Sequence, residues 1–400
     1  MILLLTGLVG ATCPDAVYSP TQAWPDRSAE VDPSIVASLD KALFQERDEE
    51  TREGIRTDGV AIFYKGELLY ERYGADYTAE TPHLIWSASK SFTSALVGIA
   101  EYKGLLDIDH SICEYIEVGH ESACQVTVRN LLEFSSGLAW RETYEGEPPT
   151  ASSVLAMLYG EGRADTATFA SSQGLEDAPG STYQYSSGDT NILSLVVRTV
   201  LEPVASDRYP WTLLFEPLGI TSATWERDAA GTPVGSSYLY LTPRDMGRFG
   251  QLMLNDGCWE QDRLLPEGWV ERVTRPSPAT LSGQSRDRGP GENQGQQFWL
   301  NAPNPGYDEG PRFPDIPESA YAAMGYWKQR IWVLPDQDIV AVRTGDDRDG
   351  SYSDSDWIPL AMALAESLPK PPPPEPAVIL EEASGAESEG ELTWPVEESP

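Results

Sequence analysis

Histidine and cysteine are scarce in this chain of 400 residues, which holds three of the first and four of the second. His83, His110 and His120 lack metal-site spacing and no CxxC pair occurs, so no metal or other cofactor is implied. Basic residues are also few. Lys and Arg total 28 against 63 Asp and Glu, a net charge of −35 that would repel a polyphosphate and argues against nucleic acid as a partner. No apolar stretch reaches the roughly 20 residues of a membrane-crossing helix, so no transmembrane span is expected. A G-x-S-x-G nucleophile elbow is missing, and no histidine has an obvious claim to be a triad base.

The ends of the chain differ from its body. Met1 to Val9 form a short apolar run that reads as a clipped export signal within residues 1–20, although no basic residue precedes it. Export to a bacterial periplasm or cell envelope is the expectation, a cytoplasmic location the alternative. Cys13, after Gly10-Ala11-Thr12, loosely resembles a lipoprotein cleavage site, which makes a lipid anchor there an option. Cys113 and Cys124 either pair in an oxidising compartment or stay as buried thiols, and Cys258 has no evident partner. From Pro369 onward the chain turns to proline and then to eight Glu between Glu375 and Pro400, with no Lys or Arg. Residues 369–400 are therefore expected to be a disordered tail and 30–368 a single domain.

Within that domain, Asp32 and Pro33 open a helix to about Arg47, with Ile35, Val36, Leu39, Leu43 and Phe44 on one stripe. Residues 59–64 and 67–73 read as strands joined at Lys65-Gly66, and 329–334 and 338–343 as strands joined by Pro335-Asp336-Gln337. A closing apolar helix covers about Trp357 to Leu368. The stretch between is mostly helical pattern. The predicted class is thus α+β: an antiparallel sheet built from both chain ends, flanked by helices, with a mostly helical lobe inserted.

Chemistry concentrates in Trp86-Ser-Ala-Ser-Lys90-Ser-Phe92, which opens an almost wholly apolar helix that Gly104 should end. Residues three apart share a helix face, so the Ser87 and Lys90 side chains can meet. Burial and the positive end of the helix dipole both disfavour an ammonium there, which suits Lys90 to accept the serine proton. Backbone N–H groups at the same helix start point where negative charge grows on an attacked carbonyl. A serine capping the helix and a solvated lysine would be the bland explanation, but a lysine on a helix otherwise fit for burial needs a reason to be there.

A second segment, Gly180-Ser-Thr-Tyr-Gln-Tyr185-Ser-Ser187-Gly-Asp189-Thr-Asn191, resembles the Tyr-x-Asn motif of class C β-lactamases. With the Ser-x-x-Lys helix, Val128-Arg-Asn-Leu-Leu-Glu-Phe-Ser-Ser-Gly137, Leu241-Thr-Pro-Arg-Asp-Met-Gly-Arg-Phe-Gly250 and the Pro-Asp-Gln-Asp hairpin, the chain is similar to the β-lactamase-related serine hydrolases. The esterase and 6-aminohexanoate-dimer hydrolase branch fits best, over about Asp58 to Gly345. The resemblance implies a β-lactamase and transpeptidase-like fold, and Tyr185 as second proton carrier, with Tyr183 close enough in sequence to exchange roles. It also implies an oxyanion hole formed by the backbone N–H groups of Ser87 and Gln329.

Two departures bear on substrate. The motif's Asn is Ser187 here, for which Asn191 or Asp189 would have to compensate. The third family motif falls on Tyr326-Trp327-Lys328, with lysine where glycine is expected and no cation at the first position, so a partner for the penicillin carboxylate is missing. Ser187, Asn191, Tyr326 and Trp327 are the expected substrate-binding residues, and Trp86, Trp140 and Trp327 the candidates for an apolar acyl pocket. The implied activity is hydrolysis of a small-molecule ester or amide through a Ser87 acyl-enzyme, and the acidic body favours neutral or cationic substrates. Its rivals are a DD-peptidase of the penicillin-binding kind and a binding protein that kept the fold without turnover.

Overall fold

The computed structural model describes residues 13–14, 17–45, 47–74, 76–144, 151–286, 293–304, 306 and 310–369. The expected tail, apart from Pro369, and the apolar run of the expected signal lie outside the described residues. Helix α1 spans Pro33–Leu43, capped by the Asp32 carboxylate, which accepts from Ser34 N at 2.8 Å. Strands β1 (Thr57–Tyr64) and β2 (Glu67–Tyr73) follow, and the turn between them holds both Lys65 and Gly66 at positive φ, 50° and 73°. That backbone twist matches the right-handed twist of a hairpin's strands.

Four further strands come from the other chain end: β3 (Trp299–Leu300), β4 (Tyr321–Gly325), β5 (Gln329–Leu334) and β6 (Ile339–Gly345). They join the first two in the order β2-β1-β6-β5-β4-β3. Each pairing is antiparallel, with Val60 opposite Arg343 and Gln329 opposite Gly325. The sheet is therefore closed by strands from both ends of the sequence, as the hairpin signals require.

Alternation along the strands divides the core in two. Val60, Ile62, Trp332, Leu334, Ile339 and Ala341 face α1 and the closing helix α6 (Ile358–Glu366). Ala61, Phe63, Ile331, Val333, Val340 and Val342 face the opposite core, shared with α2 (Ser89–Tyr102), α3 (Ser153–Tyr159), α4 (Ser187–Ala205) and α5 (Pro243–Leu254). Since successive side chains point to opposite faces, a sheet covered on both sides must be apolar throughout. The helices α2 to α5 carry the inserted lobe, and the expected α+β architecture is the one observed.

The packed body begins ahead of residue 30: Trp24 stacks on Phe63 at 3.8 Å, and Leu68 N donates to Pro25 O at 2.8 Å. Two disulfides are present, Cys113–Cys124 and Cys13–Cys258. The second corrects one expectation: Cys258 has a partner, Cys13, 245 residues away, beyond the reach of local spacing. No helix among the described residues is long and apolar enough to cross a membrane.

Candidate active site

One turn of 3₁₀ helix, Trp86–Ala88, delivers the chain into α2. Trp86 sits at φ 48°, in the left-handed region that costs a bulky residue strain, and Ser89 Oγ holds the turn by donating to Trp86 O at 2.6 Å. Ser87 is half-buried here and Lys90, one turn later, is only 2 % exposed. Burial pushes the lysine pKa down to about 8, and the negative charge of Glu142 offsets part of that shift.

Lys90 Nζ lies 3.2 Å from Ser87 Oγ, 2.9 Å from Ser187 Oγ and 3.0 Å from Ser236 O. Ser236 contributes a carbonyl, which only accepts. Ser187 Oγ spends its proton on Glu142 Oε1 at 2.6 Å, so towards the lysine it too is an acceptor. A neutral amine has two N–H bonds and one lone pair. As an ammonium Lys90 donates to all three, Ser87 Oγ included; once neutral, with its N–H bonds kept on Ser187 and Ser236, it turns the lone pair to Ser87.

Glu142 is the hub behind this arrangement. Besides the Ser187 hydroxyl, its carboxylate accepts from Ser187 N at 2.9 Å, Trp140 Nε1 at 2.6 Å and Tyr144 Oη at 2.6 Å. Tyr144 is held far above the usual phenol range by burial and by that neighbouring carboxylate, so it stays a donor. Four donors fix both oxygens of one carboxylate, and through it the direction of the Ser187 hydroxyl.

Tyr185 packs beneath the amine, its ring centroid 4.9 Å from Lys90 Nζ, with Phe134 at 4.9 Å and Trp299 at 5.7 Å steadying the ring. Tyr185 and Ser87 line the same cleft, of about 670 Å³, together with Tyr144, Tyr326, Trp327 and Lys328. A second, apolar pocket of about 180 Å³ also reaches Ser87, walled by Trp86, Leu155, Leu158 and Tyr159. Trp86 meets Trp327 edge-on at 5.4 Å, and Tyr144 stacks on Tyr326 at 5.2 Å, so aromatic rings form the shared rim.

The model of the family described as Beta-lactamase matches residues 41–361. This chain belongs to the beta-lactamase family. It is 26% identical over 358 residues to the 6-aminohexanoate-dimer hydrolase of Paenarthrobacter ureafaciens, with 81% of each protein covered. Among solved structures it resembles a Bacillus anthracis protein assigned as a 6-aminohexanoate-dimer hydrolase, at TM-score 0.63, 21% identity and coverage of 90% of this chain and 92% of that one. It also resembles a family VIII carboxylesterase, at TM-score 0.60, 14% identity and coverage of 84% and 97%. The relatives' names are those of hydrolases.

Within this beta-lactamase framework, some expected site residues stand elsewhere. Asn191 is fully buried, accepting from Ser236 N at 3.1 Å and donating to Met157 Sδ at 3.3 Å, and it faces no cleft. Its effect is indirect, since it holds the loop whose carbonyl receives Lys90. Asp189 is buried as well, taking Ser136 Oγ at 2.8 Å, with its pKa pushed up by burial to about 7. Ser187 binds the lysine and Glu142 instead of lining the cleft. Trp140 lies against Glu142 and walls neither pocket.

Gln329 is fully buried, and its amide braces the hairpin by donating to Gly345 O at 2.6 Å and accepting from Gly345 N at 3.1 Å. It is absent from the cleft wall, which is formed by Met324 to Lys328. Gly325 abuts the carbonyl of Ile85, two residues before Ser87, so closely that a Cβ would stand 2.1 Å from that oxygen. The end of β4, and not the start of β5, therefore runs beside the serine. Tyr326 and Trp327 line the cleft. Sequence reasoning missed Glu142, Tyr144 and Ser236, because no local spacing connects residue 142 or 236 with residue 90.

Proposed function

We propose that this protein is a serine hydrolase that cleaves a carboxylic ester or amide through an acyl-enzyme on Ser87. The observation that carries this reading is the buried Lys90 amine, 3.2 Å from Ser87 Oγ, with its other two directions taken by acceptors. Lys90 receives the Ser87 proton as Oγ attacks the carbonyl carbon. Tyr185, against the lysine and open to the cleft, gives its phenolic proton to the departing oxygen or nitrogen and is reprotonated by Lys90, so the proton taken from Ser87 leaves with that group. Water then attacks the acyl carbon, and its proton returns through the same pair to Ser87 Oγ as the acyl–Oγ bond breaks.

The oxyanion is held by the Ser87 N–H at the mouth of α2 and by a second backbone donor. We place that donor at Tyr326, at the end of β4, in preference to Gln329, because the Gly325 backbone is seated against Ile85. The acyl chain occupies the apolar pocket of Trp86, Leu155, Leu158 and Tyr159. The two disulfides suit an exported protein in an oxidising compartment.

The test is covalent labelling with a fluorophosphonate probe, read by intact mass and peptide mapping, beside turnover of 4-nitrophenyl butyrate. The probe mass is expected on Ser87 of the wild type and nowhere on Ser87→Ala, whose turnover should fall by at least about 10³-fold with an unchanged melting temperature. An unlabelled Ser87, or undiminished turnover by Ser87→Ala, discards the reading.

A further inference from the structure

Strand β1 begins with an irregularity. Thr57 pairs with Gly345 and Gly59 with Thr344, so Asp58 is an extra residue, a β-bulge in the pairing with β6. Bulges re-aim side chains and gather beside active sites. This one leaves the Asp58 carboxylate facing the interior, 3 % exposed, where it accepts from Arg56 Nε at 2.9 Å and meets His83 Nε2 at 3.0 Å. Burial disfavours the Asp58 charge, but the bonds from His83 and Arg56 more than offset it and hold the carboxyl below its usual range. The other ring nitrogen of His83, Nδ1, lies 2.9 Å from Leu84 O. Leu84 stands three residues ahead of Ser87, and the next peptide is fixed as well, with Ile85 N donating to Leu239 O at 3.0 Å.

The residue before the bulge serves a different element. Thr57 Oγ1 accepts from Arg343 Nε at 3.1 Å and from Nη2 at 2.9 Å, and Arg56 O accepts from the same Nη2 at 3.1 Å. Arg343 is fully buried, 4.1 Å over the Tyr352 ring and paired with Asp347 at 2.5 Å. A cation that deep needs a reason to be there. Its remaining nitrogen supplies one: Nη1 donates to Lys328 O at 3.1 Å, in the turn between β4 and β5. That turn holds Trp327 and Lys328 at φ 56° and 71°, a strained backbone that persists only where contacts over-determine it. Gln329 Nε2 adds a bond to Tyr326 O at 3.1 Å. Gly345, opposite Thr57, makes room for the guanidinium, since a Cβ there would stand 2.7 Å from Nη1.

We propose that residues 56–58 form a bracket that sets the spacing of the two oxyanion donors, with His83 and Arg343 as the positioning residues at its two ends. One arm runs from Asp58 through His83 to Leu84 O, on the segment that delivers Ser87. The other runs from Thr57 through Arg343 to Lys328 O, on the turn that carries Tyr326. An oxyanion hole works only when both donors reach one oxygen, and a misplacement of about 1 Å costs about 100-fold in rate. The contact of Gly325 with Ile85 limits how near the two supports come, and the bracket keeps them from parting. Neither His83 nor Thr57 lines the cleft or the apolar pocket, so both act through the backbone. The inference rests on the serine hydrolase reading and specifies what holds its oxyanion hole.

The experiment cuts one arm at a time in the full-length protein, with His83→Ala and Thr57→Val. Each should lower kcat for 4-nitrophenyl butyrate by about 10- to 100-fold with KM within about threefold of the wild type. The Ki of butane-1-boronic acid, whose tetrahedral adduct on Ser87 needs both donors, should rise by the same factor. Either cut lets the supports part, so the double variant should lose no more than about threefold beyond the weaker single variant. Added imidazole should restore His83→Ala. Undiminished kcat in both single variants, or losses that multiply in the double variant, overturns the bracket. Thr57→Val only exchanges a hydroxyl for a methyl, so its kcat and Ki decide the outcome should His83→Ala not fold. Hydrogen exchange separates this inference from the reading beneath it. In Thr57→Val the amides of residues 84–88 should exchange faster along with those of 326–329, whether or not the protein turns over an ester. Faster exchange in both segments, with a wild type that neither hydrolyses the ester nor binds the boronate, sinks only the hydrolase reading. Turnover by the wild type, with exchange altered in 326–329 alone, sinks only the bracket.

Discussion

At the scale of single residues, the proposed chemistry asks a buried lysine to act as a base. Burial lowers the Lys90 pKa only to about 8, so near neutrality much of it is still protonated. The lone pair is useful only if it faces Ser87, and Glu142 sets that direction through the Ser187 hydroxyl. The same carboxylate holds the lysine pKa up by its charge. Removing the charge therefore has two separable effects. In the proposed mechanism the lysine acts in its neutral form, so kcat/KM should be lost as pH falls through about 8, and Glu142→Gln should move that limb to lower pH. An amide cannot accept at both its ends, so either Ser187 or Trp140 loses its acceptor, and the plateau should drop by about 10- to 100-fold. A pH–rate profile checks both. A limb that stays in place while the plateau falls would mean that Glu142 acts by shape alone.

At the scale of elements, the site depends on how closely neighbours approach. Gly188, in the first turn of α4, lies under Trp140, and a Cβ there would stand 2.7 Å from Cζ3 of the indole. Alanine would favour the helix by about 1 kcal/mol, while the overlap costs about 1–3 kcal/mol unless the indole moves. If it moves, it takes with it a donor of Glu142. Gly188→Ala is thus expected to lower kcat as well as the urea midpoint. Gly98→Ala is the control: it lies two turns beyond Lys90 on α2, its Cβ would meet Trp269 and Leu265, 2.7 Å from Trp269 Cε2, and not Trp140, and it should lower the midpoint with kcat intact. Equal kcat losses in the two would refute the connection through Trp140. What the sequence let one read follows the same division. Lys90 beneath Ser87, the Asp32 cap and the Lys65-Gly66 turn are determined by residues within a few positions of one another, and each stands as expected. The Glu142–Ser187 bond spans 45 residues and the Lys90–Ser236 bond 146, distances at which only the folded chain decides who meets whom. The choice between Gln329 and Tyr326 as the second oxyanion donor is hard to read for a related reason. A three-residue turn puts Gly325 directly opposite Gln329, and the motif alone does not tell which of the two strands borders the serine.

At the scale of the whole molecule, both chain ends are drawn onto one sheet, and the Cys13–Cys258 disulfide adds a covalent closure to that topology. The segment it secures is also pinned by ordinary bonds: Asn255 Nδ2 donates to Tyr18 O at 2.9 Å, Arg248 Nε to Pro20 O at 3.1 Å, and Trp259 Nε1 to Thr21 Oγ1 at 2.7 Å. Reduction therefore leaves these native contacts in place, and the main loss is the restraint on the unfolded chain. That restraint grows with the loop closed, which spans a separation of 245 residues for this bridge and 11 for Cys113–Cys124. Chain entropy assigns them about 5 and about 3 kcal/mol respectively. Serine pairs at positions 13 and 258, or at 113 and 124, measured by urea unfolding without reductant, should rank in that order. The reverse ranking would mean that the short bridge stabilises the folded lobe directly and that the long one restrains little that the Tyr18–Thr21 contacts do not already hold.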